Sequence, residues 1–274
     1  MPGGDDFEKL GARMNKRLIC LPLCGLLMLI GSALWAQPQP KPKSPKELEA
    51  LKAWQAATDP DARIKAIENV LTNFADTEFK VFLLQDALQL EQRKGDFAQV
   101  VFYGERLLEA DPKNAFAMVT LAGEIARHTR EFDLDKEEKL AKADKYANAA
   151  LEAAKVYPKP RADITDAQWE GVRKDLQAQA YEALGQTATL RKKYDDAIGD
   201  FKQALAVQAT PDPTTWVRLG EAYEESGKFD DATDAFDKAI NMPNVSAQVK
   251  GIAQAKKDET AKRKAAGSKP PGAQ

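Results

Sequence analysis

The chain has 274 residues, 43% of them hydrophobic and 30% charged, enough for one large domain or two small ones and unlike a disordered composition. Its 40 Lys and Arg nearly balance 42 Asp and Glu, which excludes both the basic field that draws nucleic acid and the acidity of a solvating tail. The first predicted element is a secretory signal over residues 1–36. From Met14, the expected true start, Lys16 and Arg17 precede an apolar run over 18–30, then small residues and a Gln/Pro-rich stretch. Cleavage is expected after Ala36, with Ala33 as the other site; the rival reading is an uncleaved anchor, which Pro22 and two glycines interrupt. Cys20 and Cys24 both lie in this segment, so the mature chain has no disulfide, thiol nucleophile or cysteine-held metal. Leu23 stands where a lipoprotein signal has Gly or Ala. Once processed, the body is nearly neutral and is expected to be periplasmic or secreted.

A Pro/Lys/Gln linker over 37–44 is expected to be extended. Helices follow, each start marked by a capping residue: Ser44-Pro45-Lys46-Glu47 as a capping box, Asp59-Pro60, the DPKN stretch at 111–114, Thr165-Asp166-Ala167-Gln168, and Asp212-Pro213. No stretch alternates long enough to call a strand. Residues 45–80 read as a degenerate helix pair. The stretch 158–177 reads as a linker and an extended helix start.

Two later segments align on each other. Trp216, Leu219, Gly220, Tyr223, Gly227, Phe229, Ala232, Phe236 and Ala239 fall opposite Tyr181, Leu184, Gly185, Ala188, Lys192, Tyr194, Ala197, Phe201 and Ala204, with a period of about 35, and Pro243 closes the later segment. The pattern resembles tetratricopeptide repeats, whose helix–turn–helix unit of about 34 residues carries Trp, Leu-Gly, Tyr, Ala, Phe, Ala and Pro in this order. Residues 213–246 match closely. Residues 178–211 match except for Lys192 in place of a turn glycine and Ala209 in place of proline. The unit 81–114 shares the turn over 94–97 but has Glu91 and Gly104 at apolar positions, and 115–157 carries a charged insertion, EFDLDKEE. The resemblance implies an all-α fold: a right-handed α/α superhelix of about five helix pairs, closed by a capping helix over 247–264 and a disordered tail over 265–274.

In this frame Gly185 and Gly220 mark helices too close for a side chain, and Ala197, Ala204, Ala232 and Ala239 hold neighbours at short distance. Leu184, Tyr194, Phe201, Trp216, Leu219, Tyr223 and Phe236 supply the packing surface, each large side chain contributing roughly 1.5–3 kcal/mol on burial. Leu-Gly-x-x-Tyr is not a phosphate loop, since no Gly-rich turn follows a strand.

No catalytic residue, cofactor or metal is expected. The single histidine, His128, ends an Arg-rich helix, and EFDLDKEE lacks the glycine and terminal glutamate of a calcium loop. Asn244-Val245-Ser246 is formally a glycosylation sequon. The resemblance implies a non-enzymatic interaction scaffold; the alternative is a helical accessory subunit of an exported enzyme or assembly complex. First helices of such arrays line an inner groove, which places there Phe82, Gln85 and Gln89, then Phe116 and Val119, then Gln179, Glu182 and Gln186, and last Val217, Glu221 and Glu224. This groove begins apolar and ends acidic. It lacks the Lys and Asn clamp for acidic C-termini, so the expected partner is an apolar protein segment with basic or amide groups at one end. Lys256, Lys257, Lys262, Arg263 and Lys264 read as a solvated helix end. Membrane contact is expected only through that basic end or an uncleaved signal.

Overall fold

The computed structural model describes residues 40–160, 163–208 and 210–267. The expected signal, both cysteines, positions 37–39 of the linker, Ala209 and the tail beyond residue 267 lie outside them. The described residues form eleven α-helices, in order five consecutive pairs and a final single helix: α1 Pro45–Ala56, α2 Pro60–Asn73, α3 Lys80–Lys94, α4 Phe97–Ala110, α5 Ala115–His128, α6 Lys136–Lys155, α7 Asp166–Leu190, α8 Tyr194–Val207, α9 Pro213–Glu225, α10 Phe229–Asn241 and α11 Ala247–Ala265. The described residues divide into two compact units: those up to Ala117 with 159, 160, 163 and 164, and Met118–Pro158 with the described residues from Thr165 onward.

All five sequence signals stand at helix starts. Asp59 accepts the Ala62 amide at 2.9 Å, and Asp212 accepts that of Thr214 at 2.7 Å. Thr165 and Gln168 close a reciprocal capping box, so two amides left without an intrahelical partner are satisfied together. Two signals work differently from expectation. Ser44 accepts the Glu47 amide, but the Glu47 carboxylate is buried and accepts from the Lys43 amide and the Thr77 hydroxyl, both at 2.6 Å. It ties α1 to the loop before α3. In the DPKN stretch, Asn114 makes the cap by accepting the Ala117 amide at 3.0 Å, while the Asp111 amide donates to Leu107 at the end of α4.

In the first unit, α1 packs on α2, α2 on α3 and α3 on α4. Leu51, Ile67, Val70, Leu84, Leu88 and Leu107 are among the buried residues of its core. Asp86 of α3 takes the Trp54 indole N–H at 2.7 Å and the Arg63 guanidinium at 2.5 Å, with Arg63 lying 5.4 Å over the Trp54 ring. Three helices therefore meet at one carboxylate, although their sequence lacks the repeat spacing.

In the second unit, α6 packs on α7, α7 on α8, α8 on α9, α9 on α10, and α11 on both α10 and α9. Helix α7 runs unbroken for 25 residues, so the stretch read as an extended helix start is continuous with the repeat's first helix. Its beginning is pinned by the Tyr157 carbonyl, which accepts from the Trp169 indole at 2.8 Å and from Arg173 at 3.0 Å.

The two strongest repeats share one packing device. A Cβ on Gly185 would stand 2.6 Å from the Phe201 ring, and one on Gly220 would stand 2.5 Å from the Phe236 ring. Both rings are buried, and each fills the space its glycine leaves. The turns are related too: residues 95, 192 and 227 have φ of 75°, 61° and 78°, with Lys193 and Lys228 amides reaching back to Ala188 and Tyr223 carbonyls at 2.9 Å. Gly95 and Gly227 adopt this left-handed backbone without strain; Lys192 adopts it with a Cβ.

Candidate partner-binding surfaces

In the first unit, Phe82 on α3 is 38% exposed, a large apolar side chain held at the surface. Gln85 and Gln89 follow it at helical spacing on one face of α3 and are half-buried. Phe116 is half-buried and packs against the same unit's core. This face thus offers one exposed ring followed by two amide groups that both donate and accept hydrogen bonds. Phe102, on α4, is a further exposed ring that the sequence reading did not select. The Arg106 guanidinium lies 5.0 Å over it and pairs with Glu68 at 2.7 Å, and burial together with Glu68 pushes the neighbouring Tyr103 phenol up.

The second unit changes the expected groove. Val119, Val217 and Glu224 are buried; their side chains serve packing and are not open to a partner. Gln179 and Gln186 are half-buried, and the Gln186 amide donates to the Glu182 carbonyl at 3.3 Å. Glu182 accepts the Thr215 hydroxyl and lies 3.4 Å from Arg218, with burial pushing its carboxyl up. Glu221 lies 3.5 Å from Lys256, and burial, outweighing Lys256 and Arg218, pushes it up to about 7. Glu224 lies 3.0 Å from Arg263 and is also pushed up by burial. The end read as acidic is met by cations from α9 and α11. Those partners are about one repeat away in sequence, which is why the carboxylates read as free.

The basic end of α11 is paired at several positions, while Lys262 and Lys264 remain exposed. Lys257 holds Asp237 at 2.6 Å, Arg263 holds Glu225 at 2.8 Å, and Lys264 pairs with Asp230. The remaining repeat-packing residues divide by depth. Ala197, Ala204, Leu219, Tyr223, Ala232 and Ala239 are buried, whereas Leu184, Tyr194 and Trp216 are half-buried, Trp216 beneath the Lys238 ammonium at 4.5 Å.

The insertion between α5 and α6 is internally tied. Asp133 accepts Lys139 at 2.8 Å and the Arg130 amide at 3.2 Å, and Glu131 pairs with Lys192 at 2.8 Å. Its Phe132 and Leu134 are 90% and 107% exposed. His128 is half-buried, its Nδ1 3.0 Å from the Glu124 carbonyl. Among the described residues no group of three or more His, Cys, Asp or Glu is placed to hold a metal.

Comparison with known proteins agrees with the pairwise helix order. Residues 213–244 match the tetratricopeptide repeat family model. A curated relative, the chloroplastic tetratricopeptide repeat domain-containing protein PYG7 of Arabidopsis thaliana, is 33% identical over 94 residues, 34% of this chain and 31% of that protein. The chain thus spans about a third of that relative's length. Among solved structures, a thermophilic TPR protein of Thermus thermophilus superposes with a TM-score of 0.53 at 18% identity, covering 77% of this chain and 98% of its own. The assembly chaperone of RpL4 gives 0.40 at 11% identity, over 82% of this chain and 100% of that one, too distant to carry an argument. The chain carries a tetratricopeptide repeat within an all-α array of sequential helix pairs, a fold that typically serves as a non-enzymatic interaction scaffold.

Proposed function

We propose that the protein is an exported scaffold that holds a protein partner through the α3 face of its first unit. The observation that carries this reading is Phe82, more than a third exposed on a helix whose other large apolar residues Leu83, Leu84, Leu88 and Leu90 are buried. An exposed ring flanked by amides suits an extended or helical segment with one apolar anchor and free backbone or amide groups beside it, because rings fill pockets while amides satisfy what the partner would otherwise leave unpaired. Export rests on Lys16, Arg17 and the apolar run after them. Fusing residues 1–40 to a reporter active only outside the cytoplasm should give signal, and the mature chain should begin at Gln37. Capture from an envelope extract with the full chain and with Phe82→Ala tests the surface. The variant should keep its helical content and lose the partner, by roughly 2 kcal/mol if Phe82 is an anchor. Equal capture by both proteins refutes the α3 face as the site.

A further inference from the structure

Most turns inside the helix pairs are short. Two residues separate Lys94 from Phe97, and three separate Ala56 from Pro60, Leu190 from Tyr194 and Glu225 from Phe229. Between His128 and Lys136 there are seven. Three residues suffice to reverse the chain between two packed helices, so the surplus in the α5–α6 loop serves something other than the pair. In repeat arrays such insertions collect in loops on one face, often the binding face.

The seven residues form two successive turns that share Asp133. The Asp133 amide donates to the Arg130 carbonyl and the Lys136 amide to the Asp133 carbonyl, both at 3.2 Å. The Asp133 side chain is half-buried and accepts the Arg130 amide at 3.2 Å and Lys139 at 2.8 Å. Glu131 is held by Lys192, from the turn between α7 and α8, at 2.8 Å. Phe132 and Leu134 stand on either side of Asp133 at the turn corners and are almost wholly exposed, well beyond Phe82 and Phe102. The ties hold both side chains away from the protein's own surface. Ordering a binding loop normally opposes association, and here the loop is ordered before any partner arrives.

The charges around the tip select what it fits. Residues 130–138 hold five carboxylates and two cations. Two cations that meet these carboxylates from outside the stretch are each shared: Lys139 lies 2.8 Å from Asp133 and 2.9 Å from Asp135, and Arg191 lies 2.9 Å from Glu137 and 2.7 Å from Asp144. The collar around the apolar pair therefore keeps an excess of carboxylate, with Glu138 exposed. A bilayer is a poor match, because seating Leu134 would drag Asp135 into the headgroups and anionic lipid would repel the collar. A protein cleft with apolar walls and a Lys or Arg rim matches both features, since its walls take the side chains out of water and its rim complements the collar.

We infer that the α5–α6 loop is a docking projection that inserts Phe132 and Leu134 into an apolar cleft with a cationic rim on a partner protein. The site belongs to the second unit and stands whether or not the α3 face of the first unit binds a partner.

The test places the photo-crosslinking residue benzoylphenylalanine at position 132 of the full chain, irradiates the producing cells and maps the adduct by mass spectrometry. The label should land on a protein segment rich in apolar residues with Lys or Arg beside it, and the same label at Lys145, exposed on α6, should give no such adduct. The protein so identified, once purified, should bind the wild-type chain at least about tenfold tighter than the chain carrying Phe132→Ser and Leu134→Ser. It should bind Phe82→Ala like the wild type and lose affinity on Glu138→Lys and in added salt. Asp133→Ala, which frees the loop but keeps both apolar side chains, should also weaken binding. The double serine variant should unfold at the wild-type urea midpoint, because both side chains are exposed. An adduct no stronger than that at Lys145, an adduct with a second copy of this chain, or equal binding by the wild-type and double serine chains overturns the inference. So does sedimentation of the wild-type chain, but not of the double serine variant, with vesicles of phosphatidylcholine and phosphatidylglycerol, which is the behaviour of a lipid anchor.

Discussion

Replacing Gly220 with alanine sets two effects of opposite sign against each other. Alanine is favoured over glycine in a helix interior by about 1 kcal/mol, so an unobstructed site gains. At Gly220 the added methyl would lie 2.5 Å from one Phe236 ring carbon and 2.8 Å from two others, far inside van der Waals contact. Phe236 is fully buried, so its ring cannot swing into solvent and the α9–α10 joint must open. Overpacking of this kind costs typically 1–3 kcal/mol, which offsets the propensity gain and leaves the variant destabilised by up to about 2 kcal/mol. Gly199 on α8 and Gly251 on α11 have nothing within 4 Å of the same methyl and are exposed, so there alanine should stabilise by up to about 1 kcal/mol. Urea unfolding followed by far-ultraviolet circular dichroism separates the cases, with a lower midpoint for Gly220→Ala and higher midpoints for the other two. Truncating the ring, as Phe236→Leu, in the Gly220→Ala background should recover part of the loss. If Gly220→Ala is as stable as Gly199→Ala, the close approach of the two helices is wrong.

Lys192→Gly should raise stability by about 0.5–1 kcal/mol in the same assay, since it relieves a left-handed backbone at the expense of one exposed pair with Glu131; a lower midpoint refutes the turn geometry. Ala197→Leu and Ala232→Leu, both fully buried, should each cost on the order of 1–3 kcal/mol. Lys202→Leu should cost little, because Lys202 is exposed and lies 5.4 Å over the Tyr223 ring; equal midpoints for the three refute the register. The last prediction is a pH dependence. Glu221, facing Arg218 and Glu224 on α9 and Lys256 on α11, with Glu259 paired to the same lysine, has a folded pKa of about 7 against 4.5 for its ordinary value. The folded state therefore holds the extra proton between these values, so the contribution is complete below about 4.5 and is lost as pH rises through 7, on the order of 3 kcal/mol. Glu221→Gln should flatten that part of the stability profile, and an unchanged slope refutes the assignment.

Local order was determined by the sequence itself. Proline and Ser, Thr, Asp or Asn at helix starts act through their own amides and φ angles within four residues, so Ser44, Asp59, Thr165 and Asp212 were readable without a fold. The close approach at Gly220 was readable because Leu-Gly recurs one repeat earlier at Gly185, and recurrence in sequence reports the same helix-on-helix geometry twice; that Phe236 and Phe201 are the rings facing those glycines came from the structure. What lay beyond reach was each polar side chain's partner in the next helix. The Glu47 carboxylate formed its bonds with Lys43 and Thr77 and did not reach back to the Ser44 amide. Glu221 and Glu224 looked like a free acidic rim, and Lys256 and Arg263 like a free basic end, until tertiary packing set the second pair against the first. Val119 and Val217 were placed on the correct helices but are buried, because period 3.6 locates a face and leaves open how far the neighbouring helix covers it. A capping bond closes within one helical turn and is written locally. An ion pair or a buried face between helices depends on where two separate helices come to rest, and only the tertiary structure decides that.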